Sequence, residues 1–165
     1  MPESRDLPPD LDRALGLLTA DAPETVALTV RPDPEAVTAA RHFVTARLKE
    51  WSLGALTDDV ALVVTELVTN ALRHSLPACS GLLPPVPGSG AIQLRLLPGR
   101  AGGVADEAWL LCGILDGTRR APRRKEPDYI AETGRGLHLV DSFTHRWGWR
   151  GLPHGKVVWA LFQTP

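Results

Sequence analysis

Glu66 and Asn70, four residues apart, are the first pair in this chain whose types and spacing could do chemistry. At about 100° per residue, a helix would leave them roughly 40° apart around its axis, on one side. A carboxylate and a carboxamide in that position both offer oxygen, which Mg²⁺ accepts directly or through water. Glu66 could also act as a general base toward a hydroxyl. The same pair, with Arg73 and His74, equally describes a solvated helix face, and residue type alone does not choose between the two. Asp116 closes an apolar run just before Gly117. A carboxylate there can accept a hydrogen bond from an exocyclic amine such as that of adenine, or simply begin an Asp-Gly turn. Gly134-Arg135-Gly136-Leu137 precedes a helical stretch. Glycines let the backbone approach a ligand, and free N–H groups at a helix start favour phosphate, although a tight turn has the same composition. The third glycine of a dinucleotide fingerprint and the Walker pattern are both missing. Arg119, Arg120, Arg123, Arg124 and Lys125 form a basic loop suited to phosphates, to an acidic partner, or to water alone. His42, His138, His145 and His154 show no metal-binding spacing, and no Gly-x-Ser-x-Gly elbow is present.

The elements that would carry these residues follow from hydrophobic periodicity. Val60, Val63, Val64, Leu67, Val68, Ala71 and Leu72 recur at i, i+3, i+4, i+7, i+8, i+11 and i+12. That pattern predicts a helix capped by Thr57 or Asp58 and running to Ser75, with Glu66 and Asn70 flanking its apolar stripe. Before it, residues 25–31 read as a strand. A second helix follows, capped by Asp33 with Pro34 in its first turn, and runs to about Trp51. Residues 76–90, with four prolines, read as a long surface insertion. Residues 91–98 and 108–115 read as strands, the second buried and ending at Asp116. A loop over 117–134, a short helix from near Gly136, and strands around Trp147 and Trp159 complete the order. Strands alternating with helices that cover one face predict an α+β sandwich. Residues 1–24, rich in proline and acid, are expected as a flexible tail, with a helical turn around Leu15, Leu17 and Leu18 that docks on the rest. Residues 25–165 are expected to form one domain.

Composition narrows the function. The chain has 165 residues, 44% hydrophobic and 22% charged, which suits one folded domain. Its formal net charge of -1 gives no electrostatic reason to bind nucleic acid or an anionic membrane. No apolar run approaches the roughly 20 residues of a membrane span, and the first residues lack the pattern of a signal peptide. Cys79 and Cys112 make neither a metal spacing nor a disulfide framework, so a reducing cytoplasm is the expected compartment.

Taken in order, three segments are more specific than any one alone. Thr65-Glu66-Leu67-Val68-Thr69-Asn70-Ala71-Leu72-Arg73-His74-Ser75 resembles the N box of the histidine-kinase-like ATPases, the GHKL or Bergerat-fold superfamily. Leu115-Asp116-Gly117-Thr118, with Pro122 beyond it, resembles the first glycine box, and Gly134-Arg135-Gly136-Leu137-His138-Leu139-Val140 the second. The ending, Arg146-Trp147-Gly148-Trp149 with Gly155-Lys156-Val157-Val158-Trp159, is similar to the actinobacterial branch of anti-sigma-factor serine/threonine kinases. The resemblance spans about residues 25–163. It implies a Bergerat-type two-layer sandwich, a mixed sheet with helices on one face, and ATP under a lid formed by 117–134. By position, Asn70 matches the Mg²⁺-coordinating asparagine, Glu66 the catalytic glutamate and Asp116 the adenine-reading aspartate. Gly134, Gly136 and Leu137 match the border of the lid, with Arg135 near the phosphates. Thr118 stands where glycine or serine is usual, so a hydroxyl can still serve the nucleotide with less backbone freedom. The implied activity is phosphorylation of a serine on an anti-sigma antagonist, using ATP and Mg²⁺, by a protein that also binds a sigma factor and can pair as a homodimer. The alternative is an ATP-holding module that sequesters a partner without turnover.

Overall fold

A computed structural model of the chain describes residues 3, 7–20, 22–79 (backbone alone for 74–79), 92–100, 108–117, 138–153 and 155–164. Five strands form one sheet in the order β1-β2-β3-β5-β4. They are β1 (Val26–Val30), β2 (Ile92–Arg100), β3 (Ala108–Asp116), β4 (Arg146–Leu152) and β5 (Gly155–Gln163). The helices are α1 (Pro9–Thr19), α2 (Ala36–Glu50) and α3 (Thr57–Cys79), with a 3-10 turn at Gly54–Leu56 and a helical stretch at 138–143. This is the α+β sandwich expected.

Every pair of neighbouring strands described is antiparallel, where the resemblance implied a mixed sheet. Connectivity explains the difference. Two helices separate β1 from β2, so the chain crosses the sheet twice and re-enters running the other way. Residues 101–107 and 153–154 are too few for the crossover that parallel neighbours need. β3 and β4 do run in the same direction, but β5 lies between them.

Alternation along the strands assigns the two faces. On β3, Leu110, Cys112 and Ile114 enter the core beneath the long helices, with Val158, Ala160 and Phe162 of β5 beside them. The α2 stripe of Ala36, Ala40, Val44 and Leu48 and all seven predicted α3 positions close that core from above. Cys112 packs there as a small apolar group, its thiol pushed up to about 12 by burial. Asp33 does not cap α2 directly. Its Oδ1 accepts from the Glu35 N–H at 2.8 Å, and the helix starts one residue later at Ala36. α3 runs to Cys79, past the expected end at Ser75 and through Pro77. So near the end of the helix, the missing proline N–H deprives only the Arg73 carbonyl of its donor.

The other face is not bare. Residues 9–19 form a full helix, started by Pro9 and by Asp10 and Asp12 in the first turn. Leu11, Ala14, Leu15 and Leu18 of α1 pack on Leu97, Leu111, Val157 and Trp159. Gly113 makes room for this, since a Cβ there would lie 2.6 Å from Leu18 Cδ2. Polar clamps fix the helix at both ends. Arg95 Nη1 donates to the carbonyls of Leu18 and Thr19 at 2.9 and 2.8 Å, satisfying orphan acceptors at the helix C-terminus. Gln93 Oε1 holds the guanidinium in place at 2.7 and 3.1 Å. Arg150 pairs with Asp12 at 2.7 Å, and Glu3 Oε1 accepts from the Gly151 N–H at 2.7 Å. Among the described residues, no helix is long and apolar enough to cross a membrane.

Because Leu18 is fully buried against Gly113, Leu18→Ala should lower the unfolding free energy by about 2–5 kcal/mol. Urea denaturation checks this, and a loss under about 0.5 kcal/mol would show that α1 is not part of the cooperative unit.

Candidate functional site

The α3 stripe that builds the core also aims its neighbours. Val63, Leu67 and Ala71 are buried on the sheet, while Glu66 and Asn70 are half-buried one helical turn apart. The helix is continuous here, and the Thr65 hydroxyl donates to the Ala61 carbonyl at 2.8 Å within it. Burial raises the pKa of Glu66 above its ordinary 4.5, although the positive charge of Arg73, two turns on, pulls it down. A carboxylate made more basic by desolvation suits a group that takes a proton from a hydroxyl.

Asp116 ends β3 and is buried, and Gly117 after it is exposed. Its position on the strand matches that of Ile114 and Cys112, so its side chain belongs to the α3 face. Directly opposite on β5 stands Lys156, also buried, with Nζ 3.8 Å from Asp116 Oδ2. Burial lowers the pKa of Lys156, and the Asp116 charge partly restores it. The two strand ends meet through Gly155. Its φ of 150° favours glycine, and any Cβ there would strike the Asp116 carbonyl. Sequence reasoning did not single out Lys156. The available signal was a lone charge directly before the apolar run from Val157 to Phe162.

Pairing registers show which candidates share one end of the molecule. The end of β1, the start of β2 and the end of β3 lie together, since Val30 faces Ile92 and Gln93 faces Leu115. The close of α2 lies at the opposite end. There Glu50, Trp51, Ser52 and Leu53 line a cavity of about 420 Å³ with Pro98, Gly99, Arg100 and Ala108. α3 therefore starts at the end away from Asp116 and runs toward it, with Glu66 near the middle of the helix and Asn70 one turn further on. A second cavity, about 440 Å³, opens beside Asp116 and Gly117. Thr19, Ala20, Gln93, Leu115, Leu152 and Pro153 complete it, so it lies on the α1 side of the sheet. Neither cavity includes Glu66 or Asn70. Thr118, Gly134, Arg135, Gly136 and Leu137 lie outside the described residues, as do the basic loop from Arg119 to Lys125 and the lid beyond Gly117.

The donor set fits a magnesium nucleotide better than a resident metal. Among the described residues, no group of three His, Cys, Asp or Glu gathers as a metal cage. Mg²⁺ held mainly by phosphate oxygens and water needs only one or two protein oxygens, which Asn70 and Glu66 can provide. A buried carboxylate at the close of β3 supplies the acceptor that an exocyclic amine requires.

Comparison with known proteins identifies the family. No curated protein matches the chain. Among solved structures, it is similar to a chain from the crystal structure of the SiaB-SiaC complex of Pseudomonas aeruginosa. That likeness has 14% identity and a TM-score of 0.48, covers 98% of this chain and 100% of the other, and is too slight to carry an argument. The family comparison is decisive: residues 30–162 match the histidine kinase-like ATPase domain, a span that starts after α1 and takes in Glu66, Asn70, Asp116 and the 134–137 segment. The chain belongs to the histidine kinase-like ATPase domain family, whose members bind ATP.

Proposed function

We propose that this protein is an anti-sigma regulator that holds Mg-ATP beside α3 and phosphorylates a serine or threonine of an antagonist protein, binding a sigma factor as its other partner. The observation that carries this reading is Glu66. Its carboxyl is half-buried, its basicity is raised, and it stands one turn from Asn70 on a helix running toward Asp116. The raised basicity favours phosphate transfer over nucleotide holding alone, since a metal-bound oxygen would not require it.

The roles divide as follows. The Asp116 carboxylate accepts from the adenine amine, and Asn70 contributes an oxygen to the metal. Glu66 takes the proton of the attacking hydroxyl as its oxygen bonds to the γ-phosphorus, and the bond to the β-phosphate oxygen breaks, with ADP leaving with the electron pair. Mg²⁺, when bound, neutralises charge on the phosphates. Thr118, Gly134, Arg135, Gly136 and Leu137 are assigned to the nucleotide by their place in the two glycine boxes. The second reading, a partner-sequestering module without turnover, shares every role except that of Glu66.

Asn70→Ala should weaken Mg-ATP binding about tenfold or more, because the metal loses a protein oxygen. Calorimetric titration measures this, and an unchanged affinity removes Asn70 from the site. Glu66→Ala should abolish phosphate transfer from γ-labelled ATP to the antagonist while nucleotide binding persists. In the wild type, transfer should fall as Glu66 gains a proton, so the acid limb of the rate should have its midpoint above pH 4.5. A wild type that binds ATP but labels no antagonist would favour the sequestering module. Asp116→Asn should reduce the preference for adenine over guanine nucleotides, since a carboxamide cannot present two acceptor oxygens. Equal selectivity in the two proteins would count against that role.

A further inference from the structure

Lys156 is the most costly residue in the sheet to explain by packing. It is 1% exposed, sits just before the four buried residues Val157–Ala160, and is the second residue of β5, a place that an apolar residue would fill more cheaply. A buried ammonium persists where a buried opposite charge needs it. The antiparallel register of β3 and β5 sets Asp116 directly across from it, on the same face of the sheet as Ile114 and Val158. The two side chains are 2% and 1% exposed, and Nζ lies 3.8 Å from Oδ2. Gly155 lets the two strand ends come this close, since a Cβ there would strike the Asp116 carbonyl.

We propose that Lys156 is a positioning residue for base selection, whose buried ammonium keeps Asp116 an ionised, acceptor-only carboxylate and so makes the site prefer a 6-amino purine to a 6-oxo purine. This rests on the reading of Asp116 as the adenine acceptor and extends it to a residue that need not touch the base. The logic is that of a counter-charge. A carboxylate cut off from water, with no cation near it, takes up a proton. The resulting carboxyl both donates and accepts, so it can satisfy a carbonyl as readily as an amine. Discrimination between the two purines then disappears even though Asp116 is still in place.

The test compares ATP with ITP, which differ at the 6-position, by calorimetry with Mg²⁺ on the full chain. Wild type should prefer ATP. Lys156→Met and Lys156→Gln should each lose about tenfold in ATP affinity, with the ATP-to-ITP ratio falling toward one. Lys156→Arg, which keeps the charge, should retain the ratio within about threefold. Asp116→Asn combined with Lys156→Met should show a ratio no lower than Asp116→Asn alone, because the lysine acts only through the carboxylate. Circular dichroism and melting curves identify any variant that fails to fold. Should Lys156→Met fail, Lys156→Gln gives the same reading. A Lys156→Met or Lys156→Gln protein with the wild-type ratio, or with both affinities reduced equally, overturns the proposal, and so does a ratio that rises. A wild type that binds ATP and ITP alike overturns the assignment of Asp116 itself, which separates the two failures.

Discussion

The pairing of β3 with β5 sets the geometry on which both sides of this molecule depend. Side chains alternate along each strand, so a slip of one residue in β5 would send Val157 and Trp159 into the α3 layer and turn Val158 and Ala160 toward α1. The same slip would separate Asp116 from Lys156. Because both faces of β3 are covered, one by the long helices and the other by α1, a shifted register has no wet face on which to hide its errors. The position of the candidate base-reading carboxylate is thus specified by hydrophobic burial on both sides of the strand that carries it. Gly155 permits the close approach where the two strand ends meet.

What was legible in the sequence was whatever a single element encodes locally. The α3 periodicity runs through seven positions, all of them buried, and the same pattern leaves Glu66 and Asn70 on its flank. The continuous apolar run of β3 marked a strand covered on both faces, and Asp116 marked its end. The motif order then pointed to the family that the match over 30–162 establishes.

What was not legible depended on residues distant in sequence. Leu15 and Leu18 suggested a docked turn, but the place of docking is set by Arg95, 77 residues beyond Leu18, and by Arg150, 138 beyond Asp12. No local pattern reports such partners. Lys156 has the same difficulty, since its burial makes sense only beside a carboxylate on another strand. Strand direction was a matter of counting crossings, and the far end of α3 was misjudged because Pro77 was read as a stop. A proline in the last turn removes one helical bond and crowds the carbonyl four residues back, but little helix beyond it depends on that turn.

The docking of α1 also has a consequence in time. Translation makes Leu11, Ala14, Leu15 and Leu18 first, while Val157 and Trp159, which form much of the floor beneath them, come near the end of the described chain. An eleven-residue helix has too few internal bonds to persist alone in water. α1 leaves the ribosome well before its floor does, and therefore reaches its place only after β5 has joined the sheet. Until then its leucines and the unfilled floor remain exposed together, so the interval between them is when the nascent protein is most open to a chaperone or to misassociation.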